Sequence, residues 1–322
     1  MAECKNKVIA VVGPTASGKT SLGVQLCRAF NGEVISCDSM QIYRDMAVAT
    51  AVPTLEERQG VPHHMMEFLS LDEEFSVARY CDLASRCMDE VIARGHMPVI
   101  VGGTGLYFNA LVDNTEFFEE DNDYSYRAVL KEEAERDGAQ VLLERLRGVD
   151  PETAEKLHVN NLGRIIRALE VYHLTGRTMS ETQRLSRLRG SRWEPIIIGL
   201  DAENRDFLYD RINRRVDEMV KNGLVEEAKS FYAAYDGRTS TQAIGYKELK
   251  PYLDGEASLE ECIEHLKLAT RHYAKRQLTW FRRDERIHFL NIDRYESAES
   301  LARAAKEIIE KELAVKKEGR TE

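Results

Sequence analysis

Three short apolar runs set the frame of the chain. Residues 7–12 (KVIAVV), 33–37 (EVISC) and 97–101 (MPVIV) are rich in β-branched side chains, and the first and third run directly into glycine. Runs of this length, bounded in this way, read as strands buried on both faces. Between them the apolar spacing changes to the helical period. Residues 19–30 form one predicted helix. A second begins after Ser76, a good N-cap, and runs to about Arg94, where Gly95 stops it. Strand, helix, strand at this spacing implies right-handed crossovers and a parallel sheet.

The alternation ends near Thr115. Helical patterns then follow one another to about Leu188, with Asp150 as an N-cap and Pro151 at the first helical position. Residues 196–200 return to the strand pattern, so 116–192 reads as a helical insertion. Further helices are expected over 204–222 and 226–235, and Ser258 with Glu261 makes a capping box at the start of a long helix. Residues 286–290 read as a late strand and the Lys/Glu-rich C-terminus as a surface helix.

Chemistry enters at the strand ends. Residues 13–20, GPTASGKT, fit the phosphate loop in full, after a strand and before a helix as that motif requires. Its glycines, Gly13 and Gly18, let backbone N–H groups turn inward, and the helix N-terminus adds positive potential. Thr15, Ala16 and Ser17 complete the turn, Lys19 supplies a point charge, and the Thr20 hydroxyl can hold Mg²⁺. The fold class is therefore α/β: a P-loop NTPase-like parallel sheet core from residues 1–115 and 193–322, with an inserted all-helical domain at 116–192.

Asp38, just past the second strand, is placed near whatever the phosphate loop holds. It can cap a turn, meet Mg²⁺ through water, or act as a general base. The third strand ends in Gly102, Gly103, Thr104 and Gly105, with no carboxylate of the kind ATP hydrolases use for their metal. His63 and His64 lie in an expected loop and read as structural. Six cysteines, with no CxxC pair, suit a reducing cytoplasm. No apolar run approaches the ~20 residues of a membrane span, and the first residues lack the pattern of a signal peptide. We expect a cytoplasmic monomer.

The net charge of −10 argues, taken alone, against nucleic acid. The charge is segregated, however. Arg177, Arg184, Arg187, Arg189 and Arg192 crowd one stretch. In the long helix from Ser258, the residues Leu259, Ile263, Leu266, Tyr273 and Phe281 form an apolar stripe, while Lys267, Arg271, Lys275 and Arg282 form a separate basic arc with few acidic partners. Such an arc fits a phosphate-tracking surface.

Together these pieces resemble the tRNA dimethylallyltransferase family. The motifs are GPTASGKT (13–20), ISCDSMQIYR (35–44), PHH (62–64), VGGTGLY (101–107), RIIRALEVY (164–172), RINRRVDEM (211–219), AIGYKEL (243–249) and YAKRQLTWFR (273–282), in the family's order. The resemblance implies transfer of a dimethylallyl group from dimethylallyl diphosphate to the exocyclic N6 of the adenosine beside the anticodon. It implies Asp38 as the base, Thr104 at the reacting centre and Arg215 on the diphosphate, with residues 13–20 cradling it. It also implies contacts to the tRNA anticodon stem-loop from Asp38, Ser39, Met40, Gln41, Thr104 and Arg127. Further contacts are Gly163, Arg164, Ile165, Ile166 and Arg167; Ala243, Ile244, Gly245, Tyr246 and Lys247; and Lys275, Arg276, Gln277, Trp280 and Arg282. The chain carries no zinc-finger spacing near its C-terminus, as expected of the bacterial type. It departs from the family at Asn161, where Asp is usual, and in the acidic stretch 116–123. Rival readings are a P-loop small-molecule kinase, a non-catalytic tRNA-binding nucleotide switch, and a transferase acting on free AMP.

Overall fold

The computed structural model describes residues 5–115, 124–188, 190–234 and 244–318. Arg189, Ala243 and the acidic stretch 116–123 lie outside the described residues. The chain forms β1 (Asn6–Val12), α1 (Lys19–Phe30), β2 (Gly32–Cys37), α2 (Leu55–Arg58), β3 (His63–His64), α3 (Val77–Ala93), β4 (Met97–Gly102) and α4 (Gly105–Val112). Five helices follow: α5 (Tyr124–Asp137), α6 (Ala139–Val149), α7 (Pro151–Glu155), α8 (Leu162–Thr175) and α9 (Met179–Leu188). The sheet resumes with β5 (Trp193–Asp201), then α10 (Arg205–Lys221), α11 (Leu224–Ala234), α12 (Tyr246–Leu253), α13 (Leu259–Phe281), β6 (Ile287–Asn291) and α14 (Ala298–Glu318).

The described strands make one six-stranded sheet in the order β3-β2-β4-β1-β5-β6, with every pairing parallel. This is the α/β architecture expected. Successive residues of β1 point to opposite layers. Ile9 and Val11 join the layer containing Leu22, Leu26 and Ile309, while Val8, Ala10 and Val12 join the layer containing Tyr80, Met88 and Phe108. Helices cover both faces, which is why the run carries no polar alternation. Gly102 is in register with both Val12 of β1 and Cys37 of β2. Three neighbouring strands therefore end level, and their following loops open on one side of the sheet.

Several elements differ from expectation. The C-terminal helix α14 is charged on its outer face, yet Leu301, Ala302, Ala305 and Ile309 are buried against the sheet layer. Helix α4 is apolar nearly all round and buries Tyr107, Phe108, Leu111 and Val112, so it offers no amphipathic period to read. His63 and His64 form the edge strand β3 instead of a loop.

That edge is tied by a buried carboxylate. Glu33 accepts from Arg94 at 2.7 and 3.1 Å, and pairs with the ring nitrogens of His64 at 2.5 Å and His96 at 2.6 Å. The Arg94 guanidinium, aided by both histidines, holds the Glu33 carboxyl down at about 2.

The chain divides into two compact units, Met1–Val112 with Trp193–Glu322, and Asp113–Arg192. The second unit has its own core of Leu130, Leu142, Leu146, Ile165 and Leu169. Asp150 organises it, accepting from Thr153 N at 3.1 Å and from Ser180 N at 3.0 Å. Among the described residues, no helix is long and apolar enough to cross a membrane.

The Glu33 carboxyl is more acidic folded than its ordinary 4.5, so its contribution is complete above that pH and is lost as pH falls toward about 2. Glu33→Ala should destabilise the protein by about 2–4 kcal/mol at pH 7 and remove this acid-sensitive component. Chemical denaturation at pH 7, 4.5 and 3 measures both; a variant as acid-sensitive as the parent would dismiss the tie.

Candidate active site

The three level loops bring most of the expected chemistry together. In the loop after β1, Gly13 has φ 146° and a Cβ there would lie 2.6 Å from Leu200 O, so only glycine passes β5 without strain. Gly18, with φ 93°, leads into α1. Ser17 Oγ and Lys19 Nζ both donate to Pro14 O, at 2.8 and 2.6 Å, closing the loop on itself. The Thr15 N–H points elsewhere: it donates to Gln277 Oε1 at 2.8 Å. The Thr15 N–H thus anchors the loop to α13.

Two arginines of α10 face this loop. Arg211 Nε donates to Ala16 O at 2.7 Å, supporting a residue held at φ 61°. The sequence reading singled out Arg215 and missed Arg211, although four-residue spacing puts both on one helix face. The Lys19 ammonium is buried and faces Arg215, and its pKa is pushed down to about 7, with the Asp38 charge pulling upward. Burial also lowers the Arg215 pKa, again against the pull of Asp38. Lys19, Arg215 and Asp38 therefore share one electrostatic neighbourhood.

In the loop after β2, Asp38 Oδ1 accepts from Met40 N at 2.9 Å and Gln41 N at 3.3 Å. It caps its own turn with one oxygen, so the capping and chemical readings of Asp38 are not exclusive. Gln41 is an internal brace. It accepts from Ser36 Oγ at 3.0 Å and donates to Thr50 O and Ala51 O at 3.1 and 3.3 Å. The loop after β4 meets this one: Thr104 Oγ1 accepts from Ser39 N at 3.0 Å.

Helix α13 closes the back of the site. Gln277 is buried; besides accepting from Thr15, its Nε2 donates to Gly103 O at 3.0 Å. A Cβ on Gly103 would sit 2.2 Å from that nitrogen. One turn earlier, the Tyr273 hydroxyl lies beside Thr104, Gln277 and Asp38; burial pushes its pKa up. Among the described residues, no group of three or more His, Cys, Asp or Glu could hold a metal ion.

The sequence matches the IPP transferase family over residues 41–284. The chain belongs to that family. It is 49% identical over 300 residues to the tRNA dimethylallyltransferase of Caldanaerobacter subterraneus subsp. tengcongensis, covering 92% of this chain and 95% of that one. It is 47% identical over 287 residues to that of Geobacillus thermodenitrificans, covering 89% and 90%. The crystal structure of the tRNA isopentenylpyrophosphate transferase of Bacillus halodurans superposes with a TM-score of 0.73 at 43% identity, covering 99% of this chain and 100% of that one. A eukaryotic dimethylallyltransferase acting on tRNA gives 0.74 at 32% identity, covering 89% and 74%.

The positions that resemble the family's tRNA contacts fall into two classes. Gly163, Arg164, Lys247, Lys275 and Arg276 are exposed, and Trp280 is 36% exposed. Ser39, Met40 and Ile244 are half-buried. Ile165 and Ile166 are core residues of the helical unit, and Gly245, Tyr246 and Gln277 are buried. The side chains of Ile165, Ile166, Tyr246 and Gln277 are corrected from contact to support, because packing or internal hydrogen bonds occupy them. Arg127 and Arg167 both pair with the fully buried Glu170, at 2.7 and 2.8 Å.

The basic arc of α13 is also corrected. Lys267 pairs with Asp217 and Glu264 at 2.9 Å each, and Arg282 Nη2 lies 2.7 Å from Asp201. Arg271 donates to Asn213 at 3.3 Å and lies over Tyr209. Glu264 is a neighbour on α13 itself, while Asp217 and Asp201 come from α10 and β5, distant in sequence, which helical spacing along α13 does not register.

Two measurements test the site. Binding of pyrophosphate near pH 7.5 should take up more protons in the parent than in Lys19→Met, because the anion favours the charged form of a lysine otherwise titrating at about 7. Calorimetry in buffers of different ionisation enthalpy reads this; equal uptake would show that Lys19 does not meet the anion. Gln277→Leu strands a donor and an acceptor, at a cost of about 1–3 kcal/mol each, and should weaken pyrophosphate binding. Unchanged affinity would mean that the loop holds its shape without the brace.

Proposed function

We propose that this chain transfers a dimethylallyl group from dimethylallyl diphosphate to the exocyclic N6 of the adenosine beside the anticodon of tRNA, releasing pyrophosphate. The proximity of Asp38 to Lys19 and Arg215, at the mouth of an intact phosphate loop, is the observation that carries this reading. Family membership and relatives named as acting on tRNA support the acceptor.

The chemistry follows from charge. As N6 bonds to C1 of the allyl group, the C1–O bond breaks and the electron pair leaves with the diphosphate. Lys19, Arg215, Arg211 and the N–H groups of residues 16–20 are placed to stabilise that growing negative charge. The adenine amine is a weak nucleophile, its lone pair being delocalised into the ring, and its proton passes to the Asp38 carboxylate. Thr104, fixed to Ser39, is suited to orient the acceptor. Mg²⁺ bound by Thr20 and diphosphate oxygens would add Lewis-acid stabilisation of the leaving group. The acceptor base must leave its stack to be reached, with exposed Lys275 and Arg276 suited to phosphate contacts outside the site. We place this activity in a cytoplasmic monomer, in keeping with the free cysteines Cys27, Cys37, Cys81, Cys87 and Cys262.

The enzyme is offered bulk tRNA with labelled dimethylallyl diphosphate, and separately with labelled ATP. Prenylated tRNA should form with one pyrophosphate per adenosine, without ATP and with dependence on Mg²⁺. Asp38→Ala should lower turnover by ~10²–10⁴-fold with little change in tRNA affinity. ATP cleavage or phosphate transfer without prenylated tRNA would move the chain to the kinase reading.

A further inference from the structure

Glu227 lies on α11, outside the diphosphate site, and the chemistry above does not use it. Its carboxylate is half-buried and faces inward onto two other segments. Oε2 accepts from Val48 N at 2.8 Å, and Oε1 accepts from Ala49 N at 2.9 Å and from the Tyr246 hydroxyl at 2.9 Å. A carboxylate that takes two consecutive backbone N–H groups fixes the direction of the chain passing over it. Here that chain is the loop continuing from Asp38, Ser39, Met40 and Gln41.

The loop needs fixing. It has the two positive-φ residues Asp45 and Ala51, at 62° and 46°. Its first half is bonded to residues 67–69, with Arg44 N donating to Leu69 O and Phe68 N to Ile42 O; beyond Asp45 its backbone bonds are short-range, Thr50 N donating to Met46 O, Ala51 N to Val48 O and Val52 N to Ala47 O. Gln41 holds the far end through Thr50 O and Ala51 O. Between these turns, the N–H groups of Val48 and Ala49 both go to Glu227. On the other side, Tyr246 is fully buried in the second tRNA-matching segment, and a Cβ on Gly245 would lie 3.7 Å from Ala49 Cβ. The two segments touch, and one carboxylate is bonded to both.

We propose that Glu227 is a positioning residue for tRNA: it locks the 38–51 loop to the start of α12, so that both present one continuous surface to the acceptor. This rests on the reading that residues 38–41 and the exposed Lys247 at the start of α12 meet tRNA. The lock is separate from the diphosphate cradle, whose brace is Gln277. Its loss should therefore split the two substrates.

Glu227→Gln keeps the volume but turns an amide NH₂ toward at least one of three donors. The KM for tRNA should rise at least about tenfold, with kcat at saturating tRNA within about threefold. The Kd for pyrophosphate with Mg²⁺ should stay within about twofold, and the thermal midpoint should fall by only a few degrees, roughly. Tyr246→Phe, which removes one hydroxyl, should raise the tRNA KM less. The double variant should fall short of the product of the two effects, because they share a partner. An unchanged tRNA KM in both single variants overturns the proposal. So does a parallel loss of tRNA and pyrophosphate affinity, which marks general disruption. If Glu227→Gln does not fold, Tyr246→Phe and its KM split decide alone. Failure of the parent to prenylate tRNA would sink the underlying reading instead, and the parent control in the same assay separates the two.

Discussion

The primary amide of Gln277 joins two glycine loops to one helix. Its oxygen takes the N–H of Thr15 and its nitrogen reaches the carbonyl of Gly103, at 2.8 and 3.0 Å. Those loops follow β1 and β4, whose ends are already in register. Sheet geometry sets the spacing of the strand ends, and the amide sets how the loops leave them. A carboxylate has no proton for Gly103 at neutral pH, and a hydrocarbon satisfies neither group. The same helix then exposes Lys275 and Arg276, two residues earlier and one residue earlier. The surface suited to an acceptor and the cradle suited to a diphosphate are thus held by one rigid element.

The parts of this arrangement that repeat locally were legible in the sequence. Strand β1, helix α1 and the loop between them follow from a buried run, a glycine motif and a helical period over 25 consecutive residues, 6–30. Ser76 and Ser258 cap the helices they were expected to cap. The parts that depend on distant partners were not. Glu33 looks like an ordinary strand-edge carboxylate until Arg94, His64 and His96 are folded onto it. Arg282 looks like a free cation because Asp201 is far away in sequence, and the second partner of Lys267, Asp217, is equally remote. Gln277 is the instructive case. It lies four residues from both Tyr273 and Phe281, on the apolar stripe, so its burial could have been read; the identity of its partners could not.

The same contrast explains how an acidic protein can handle two polyanions. Its cations are held in two different ways. Arg127, Arg167, Lys267 and Arg282 are bonded to carboxylates, which fixes their place but cancels much of their field. Lys19 and Arg211 are bonded to backbone carbonyls, Pro14 O and Ala16 O, which orient them without an ion pair, and Lys19 has only the through-space pull of Asp38. Burial makes that charge costly, as the lowered pKa of Lys19 records. In the proposed reaction a diphosphate would relieve the cost, and most when its charge is greatest, which is as the allylic bond breaks. In the proposed reaction Asp38, the counter-charge that both Lys19 and Arg215 feel, would act on the opposite partner. Taking a proton from the acceptor reduces the pull of Asp38 on those cations at the moment the leaving group needs them. On that proposal, base and electrostatic cradle would be coupled through space, with no bond between them required.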